Sequence, residues 1–212
     1  MTPREGTAWI GDALIAALEQ AGNEGIGAAI RGRVAELEGR TRQLVANDLD
    51  HGNVGFAILA AAAYLELRAR GIGRAAAMSA VDAALNLPLR QRVLDQTRAM
   101  LDEAADPYAA LVDASRARER DWFGPSWVFE RPVDDGFGYT LHIRRCLFHE
   151  ALRACGTPEI QPIVCRFDLN WVDAIDPARH PVRFERPSTF ASADTCRMWF
   201  VRKEQLDEPT DG

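Results

Sequence analysis

The feature that most constrains the fold of this chain is a change in residue pattern near Trp122. Residues 8 to about 121 carry apolar side chains at helical spacing, as in the stripe formed by Ile10, Leu14 and Leu18. After Trp122 the aromatic residues become denser, and the apolar runs become short and extended. Helices first and strands afterwards are typical of α+β proteins rather than of alternating α/β folds.

The helical half contains one segment that we expect at the centre of the core. The stretch that follows Asn53 is apolar on all sides, and such a helix is usually buried. The run Gly71–Gly73 should end it, because glycine readily adopts the backbone conformation of a helix C-cap. Two further helices are expected to carry Pro88 and Pro107 in their first turns, with Asp106 capping the second.

The C-terminal half predicts an antiparallel sheet of about five strands. A turn at 134–136 joins the first two strands, and a short helix at 146–154 ends at Gly156. The five predicted strands are Trp127–Glu130, Tyr139–Arg144, Ile163–Phe167, Val182–Glu185 and Arg197–Val201. This half is too small to stand alone, so we predict one α+β domain over residues 1–212. In it a helical part, 8–121, packs on the sheet-containing part, 122–202, and 203–212 form a flexible tail.

Composition and net charge limit the classes of partner that this chain is expected to bind. Hydrophobic residues make up 47% and the net charge is -6, which disfavours nucleic acid because phosphate binding needs a basic surface. We see no signal peptide, and the longest apolar run, Val54–Leu65, falls short of the roughly 20 residues that cross a bilayer. We therefore expect a cytoplasmic protein with no membrane partner, and leave a homo-oligomer open. Reduced thiols are expected at all four cysteines, Cys146, Cys155, Cys165 and Cys196.

Cys165 and Asp168 are the residues whose chemistry is most useful as a pair. They lie three apart at the end of the predicted strand, where a bend after Phe167 would bring the thiol and the carboxylate into one pocket. A thiol becomes a nucleophile when its thiolate is favoured, and a buried carboxylate can shuttle a proton. The alternative is a core cysteine beside a helix-capping aspartate.

Other polar residues offer weaker patterns. Cys146 and His149 share a face of the predicted short helix, which allows a metal site with Cys165 and Cys196, but no Cys-x-x-Cys pair supports zinc. His142 alternates with apolar neighbours and faces either the pocket or solvent. Arg186 can hold a substrate carboxylate or form a surface ion pair. Cys155 is expected to be a packing residue.

Motifs of common enzyme classes are missing from the sequence. It has no glycine-rich phosphate loop, no Gly-x-Ser-x-Gly elbow and no His-Glu-x-x-His pair. We therefore expect no nucleotide, no metal and no other cofactor, and a small molecule as the partner.

Four runs and two later residues of the C-terminal half resemble the L-2-amino-thiazoline-4-carboxylic acid hydrolase family. The runs are RCLFHEAL at 145–152, GTPEI at 156–160, CRFD at 165–168 and FERPSTFA at 184–191, followed by Cys196 and Phe200. The likeness covers about Trp122 to Val201 and extends more weakly into the helical part. Two positions depart from the family's pattern, since Ala193 stands for a frequent glycine and Arg197 for an acidic residue.

What this resemblance implies is a cysteine-dependent hydrolase that acts on non-peptide carbon–nitrogen bonds. It opens a small cyclic amidine-like or thiazoline-like ring, and the product is a carbamoyl derivative of cysteine. Carried over by position, the resemblance makes Cys165, Asp168 and Cys196 the candidate catalytic residues. The candidate substrate-binding residues are Cys146, His149, His142, Arg186 and Thr189.

Two other classes of function remain as alternatives to the hydrolase. One is a module without catalysis, in which the helical cover and the sheet enclose a small ligand. The other is a thiolate site for a soft metal or an organometal, since two cysteines and an aspartate suit such ions.

Overall fold

The computed structural model describes residues 3–203, so the predicted tail lies almost wholly outside the described residues. The N-terminal half is helical, as the periodicity predicts. Its α-helices are α1 (Pro3–Gln20), α2 (Ile26–Thr41), α3 (Asp48–Ala69), α4 (Arg74–Glu103) and α5 (Pro107–Arg118). In the described range 3–203 no helix is both long and apolar enough to cross a membrane.

Helix α3 lies at the centre of the core, which confirms the reading of its apolar run. It packs against α1, α2, α4 and a later helix of the sheet half. The ring of Phe56 lies 5.4 Å from that of Phe148 and 4.9 Å from that of Phe167, measured between ring centroids. The helix ends before Gly71, whose φ of 82° explains the choice of glycine.

One of the two predicted first-turn prolines is placed correctly and the other is wrong. Pro107 opens α5, where the Asp106 side chain accepts a hydrogen bond from the backbone N–H of Ala109 at 3.1 Å. Pro88 instead lies inside α4. The helix continues past it because a buried stripe runs on both sides, with Leu85 and Leu89 both in the core. Tertiary packing offsets the loss of one backbone hydrogen bond.

The C-terminal half forms a sheet of four antiparallel strands in the order β1-β2-β4-β3. The strands are β1 (Val128–Asp134), β2 (Gly138–Arg145), β3 (Val182–Ser188) and β4 (Cys196–Arg202). Alternate residues of the two central strands face the helices, so that Leu141 opposes Met198 and Ile143 opposes Cys196. The α+β class is confirmed, and the sheet lies under the helical layer.

The predicted strand Ile163–Phe167 is wrong, and the sheet therefore has four strands rather than five among residues 3–203. This segment is the helix α7 (Gln161–Phe167), which follows a second short helix, α6 (Leu147–Ala154). Pro162 occupies the first turn of α7, where proline favours a helix. A short apolar run fits a buried strand and a buried helix equally well. A segment of seven residues can be either, so its length does not decide between them.

Candidate active site

Helix α7 places Cys165 and Asp168 on one side of the same element. Residues three apart in a helix are neighbours on its surface, so no bend after Phe167 is needed to bring the thiol and the carboxylate together. Asp168 is the C-cap of α7 and the side chain of Cys165 is partly exposed. The proximity of Cys165 and Asp168 therefore follows from the spacing of residues in a helix and not from a bend at the end of a strand.

The sheet contributes Cys196 and Arg186 to the same place. Cys196 begins β4 with its side chain on the helix-facing side, opposite Ile143. Arg186 lies in β3 at a one-residue bulge that also contains Pro187, which cannot donate a backbone hydrogen bond. Only 9% of the Arg186 side chain is exposed.

Arg186 makes three hydrogen bonds, one within the sheet and two to α7 and its C-cap. Its Nε donates to Cys196 Sγ at 3.3 Å, and its Nη1 donates to the backbone oxygen of Cys165 at 3.0 Å and to Asp168 Oδ2 at 3.3 Å. Since two of its three nitrogens are already in use, a bidentate grip on a substrate carboxylate would compete with these contacts. The guanidinium lies among Cys165, Asp168 and Cys196 and contacts all three residues.

Gln161 is a site residue that the sequence reasoning missed. It is 1% exposed, and its Nε2 donates to Cys165 Sγ at 3.2 Å. Its Oε1 is buried and has no hydrogen-bond partner in the described part of the chain. The spacing of four to Cys165 would have identified it had the segment been read as a helix.

Three of the cysteines and Asp168 line one small void between α7 and the sheet. Cys146, Cys165, Cys196, Asp168 and Arg186 all border it, together with aromatic side chains. The void measures about 10 Å³, which is close to the roughly 10–15 Å³ that one water molecule needs. The structure thus gathers these groups around a shared cavity that is closed to anything larger.

Two larger cavities flank this void on different sides. A pocket of about 460 Å³ is lined by Cys165, Arg186 and Thr189, so the nucleophile candidate is reachable from it. A cleft of about 490 Å³ is lined by Asp168 and by several aromatic residues, including Phe123 and Phe148, which also border the void. Cys165 and Asp168 therefore connect the void to separate openings.

Burial keeps the thiols of the void protonated at neutral pH. Loss of solvation raises the pKa of Cys165, and the nearby Arg186 cation and the Gln161 hydrogen bond oppose that rise. Burial likewise raises the pKa of Cys196 to about 11, again against the effect of Arg186. Burial raises the pKa of Cys146 further still. A nucleophilic thiolate in this site therefore requires a base.

Of the remaining cysteine and histidine candidates, one contacts a residue of the void and two do not line it. The His149 ring stacks on Phe190, a void residue, with centroids 5.0 Å apart, and burial lowers the pKa of this histidine. His142 lies on the outer face of β2, paired in register with Arg197, and the structure does not bring it to the void. Cys155 is buried and does not line the void.

The thiolate-metal alternative requires a group of side chains that can surround one ion. Among residues 3–203, no group of three or more His, Cys, Asp or Glu side chains is placed to hold a metal ion.

Comparison with known proteins gives one match. The family model described as L-2-amino-thiazoline-4-carboxylic acid hydrolase matches residues 52–200, a range that begins within α3, ends within β4 and includes every residue of the void. No curated protein and no solved structure matches the chain.

Proposed function

The chain belongs to the L-2-amino-thiazoline-4-carboxylic acid hydrolase family, and from this premise we propose that it opens a small cyclic amidine or thiazoline ring by cysteine–aspartate chemistry. Membership supports hydrolase function in general. The observation that carries the finer proposal is the position of Arg186, which contacts Cys196, Asp168 and the backbone of Cys165 at once. A nucleophile, a proton carrier and a fixed cation thereby border one cavity.

The first step of the proposed reaction opens the ring. The carboxylate of Asp168 takes the thiol proton of Cys165, and the resulting thiolate adds to the ring carbon of the C=N group. The bond from this carbon to a ring nitrogen or sulfur then breaks, and Asp168 returns its proton to the departing atom. The product of this step is a covalent adduct on Cys165 that contains all atoms of the substrate.

The second step releases the product by adding water. Asp168 accepts one proton from a water molecule, whose oxygen attacks the same carbon. The Cys165 thiolate leaves and takes this proton from Asp168, the second proton of the water moves to the neighbouring nitrogen, and the carbon becomes the carbonyl of a carbamoyl group. Water reaches Cys165 from the pocket of about 460 Å³ that it shares with Arg186 and Thr189.

Arg186 and Gln161 act by holding the reacting groups rather than by reacting. The ion pair with Arg186 Nη1 at 3.3 Å holds the carboxyl group of Asp168 beside the void that it shares with Cys165. The amide of Gln161 donates to Cys165 Sγ and orients the sulfur. Cys196 does not react in this scheme. Its sulfur accepts a hydrogen bond from the Nε–H of Arg186.

The test is turnover of 2-amino-thiazoline-4-carboxylate and related cyclic amidines, followed by mass spectrometry of the carbamoyl product. We expect the wild type to be active and Cys165→Ala to lose activity by a factor of at least about 10³, as covalent catalysis is abolished. Cys155→Ala is the matched control, because Cys155 is buried outside the void. It should retain wild-type turnover.

Two results would count against the proposal. Full turnover by Cys165→Ala would remove the thiol from the mechanism. Stoichiometric binding of cyclic amidines by the wild type, with no product under any condition, would favour the ligand-binding module without catalysis.

A further inference from the structure

The aromatic cleft beside Asp168 has the size of a small-molecule site and is far larger than the void. Its volume of about 490 Å³ lies within the range of roughly 300–1,000 Å³ that such sites occupy. One wall is the π-helical turn Glu119–Phe123, a type of turn that is frequent at functional sites. Six aromatic residues line it: Phe56, Trp122, Phe123, Phe148, Phe167 and Trp171.

The charged groups of the cleft leave one cation without a partner. Asp168 is paired with Arg186, and Asp121 is paired with Arg120 at 2.6 Å. The side chain of Arg118, half-buried at the start of the π-helical turn, makes no ion pair and no hydrogen bond with any of residues 3–203. Its guanidinium lies 5.9 Å from the ring centroid of Trp171. An unpaired guanidinium against an aromatic wall is well suited to bind a carboxylate.

A buried acceptor without a donor provides a second, independent indication of a ligand. Asn53 lines the cleft and is 1% exposed. Its Nδ2 donates to the backbone oxygens of Leu49 and Trp122, each at 2.9 Å, while its Oδ1 is buried and has no donor in the described range. Buried acceptors are normally satisfied, so a ligand N–H group would complete this one.

We infer that the cleft binds the planar apolar part of a carboxylate-bearing substrate. The carboxylate lies on Arg118, an N–H group donates to Asn53 Oδ1, and the aromatic walls bury the apolar part. This inference rests on the proposed function and names its substrate class, which is cyclic amidines that carry an aryl or similarly bulky apolar group. The reacting ring lies at the Asp168 end of the cleft, next to the void, since Phe123, Phe148 and Asp168 border both spaces.

Calorimetric titration of the wild type with 2-naphthoate tests the inference without requiring turnover. This probe is planar, apolar and anionic, and it should bind and inhibit hydrolysis competitively. Arg118→Met should weaken its binding about tenfold or more, because a charge-assisted hydrogen bond is lost. Arg120→Met removes the same charge two positions away and should change the affinity by less than about twofold. The neutral analogue 2-naphthalenemethanol should bind more weakly and should not respond to Arg118→Met.

The outcomes separate this inference from the proposed function. If the wild type hydrolyses the thiazoline but 2-naphthoate does not bind, or binds equally to Arg118→Met, the inference about the cleft is wrong while the proposed function stands. If 2-naphthoate binds through Arg118 and no cyclic amidine is turned over, the cleft is a ligand site and the hydrolytic proposal is wrong.

Discussion

Replacement of Arg186 by methionine tests the energetic role of the cation at the centre of the site. The substitution keeps much of the apolar stem but removes the partner of Asp168, whose side chain is only 15% exposed. An ion pair with both members this buried is strongly destabilised when one partner is removed, since the other charge stays in a poor solvent. The expected loss is about 3–5 kcal/mol in the free energy of unfolding.

Such a loss is a large fraction of the roughly 5–15 kcal/mol that holds a domain together. Two further losses act in the same direction, because Cys196 Sγ and the backbone oxygen of Cys165 also lose their donors. The double variant Arg186→Met/Asp168→Asn removes the stranded charge. We expect it to be at least about 1 kcal/mol more stable than the sum of the two single changes predicts.

Urea denaturation followed by circular dichroism measures these differences. Arg90→Met is the matched control, because the Arg90–Asp173 pair is also an arginine–aspartate contact but has side chains that are 45% and 68% exposed. It should cost less than about 1 kcal/mol. The reasoning is refuted if Arg186→Met costs no more than Arg90→Met, or if the double variant shows no coupling between its two changes.

Three other perturbations have defined outcomes. The rate at which iodoacetamide alkylates Cys165, measured by peptide mass spectrometry, should continue to rise above about pH 8.5, because burial raises the pKa of this thiol. A rate that levels off below that pH would contradict the assignment. Gly124→Ala should destabilise the fold by about 1–3 kcal/mol in urea titrations, because φ is 81° and a Cβ would lie 2.5 Å from Leu49 Cδ1. Gly136→Ala, which meets nothing within 4 Å, should be nearly neutral. His142→Ala should retain turnover, and a large loss would place the outer sheet face in the mechanism.

Most helices of the N-terminal half could be predicted from the sequence, because the residues that favour each helix lie within it or next to it. The all-round apolar run of α3 and the Asp106 cap of α5 are properties of neighbouring residues. The prediction that Pro88 begins a helix is wrong because α4 is kept continuous by packing in the core, where Leu85 and Leu89 are buried. A long-range contact of this kind has no signature within a single segment.

The sequence singled out Cys146, Cys165, Asp168, Arg186 and Cys196, which line the void, but it did not predict how they are arranged. The short apolar run around Cys165 fits a strand and a helix equally, and only the fold selects the helix that also brings in Gln161. The position of Arg186 depends on a bulge in β3 and on register with β4, neither of which a single strand encodes. The cleft at Arg118 joins residues from six helices and a π-helical turn, so spacing along the chain does not reveal it.

Intact-protein and peptide mass spectrometry after an acid quench gives the most direct test of the central claim, that the Cys165 sulfur attacks the ring of the substrate. During turnover, the peptide that contains Cys165 should carry an added mass equal to the whole substrate, because ring opening loses no atoms. Cys165→Ala should show neither adduct nor product. Turnover at the wild-type rate with the adduct on another cysteine, or with Cys165 replaced, would contradict the account.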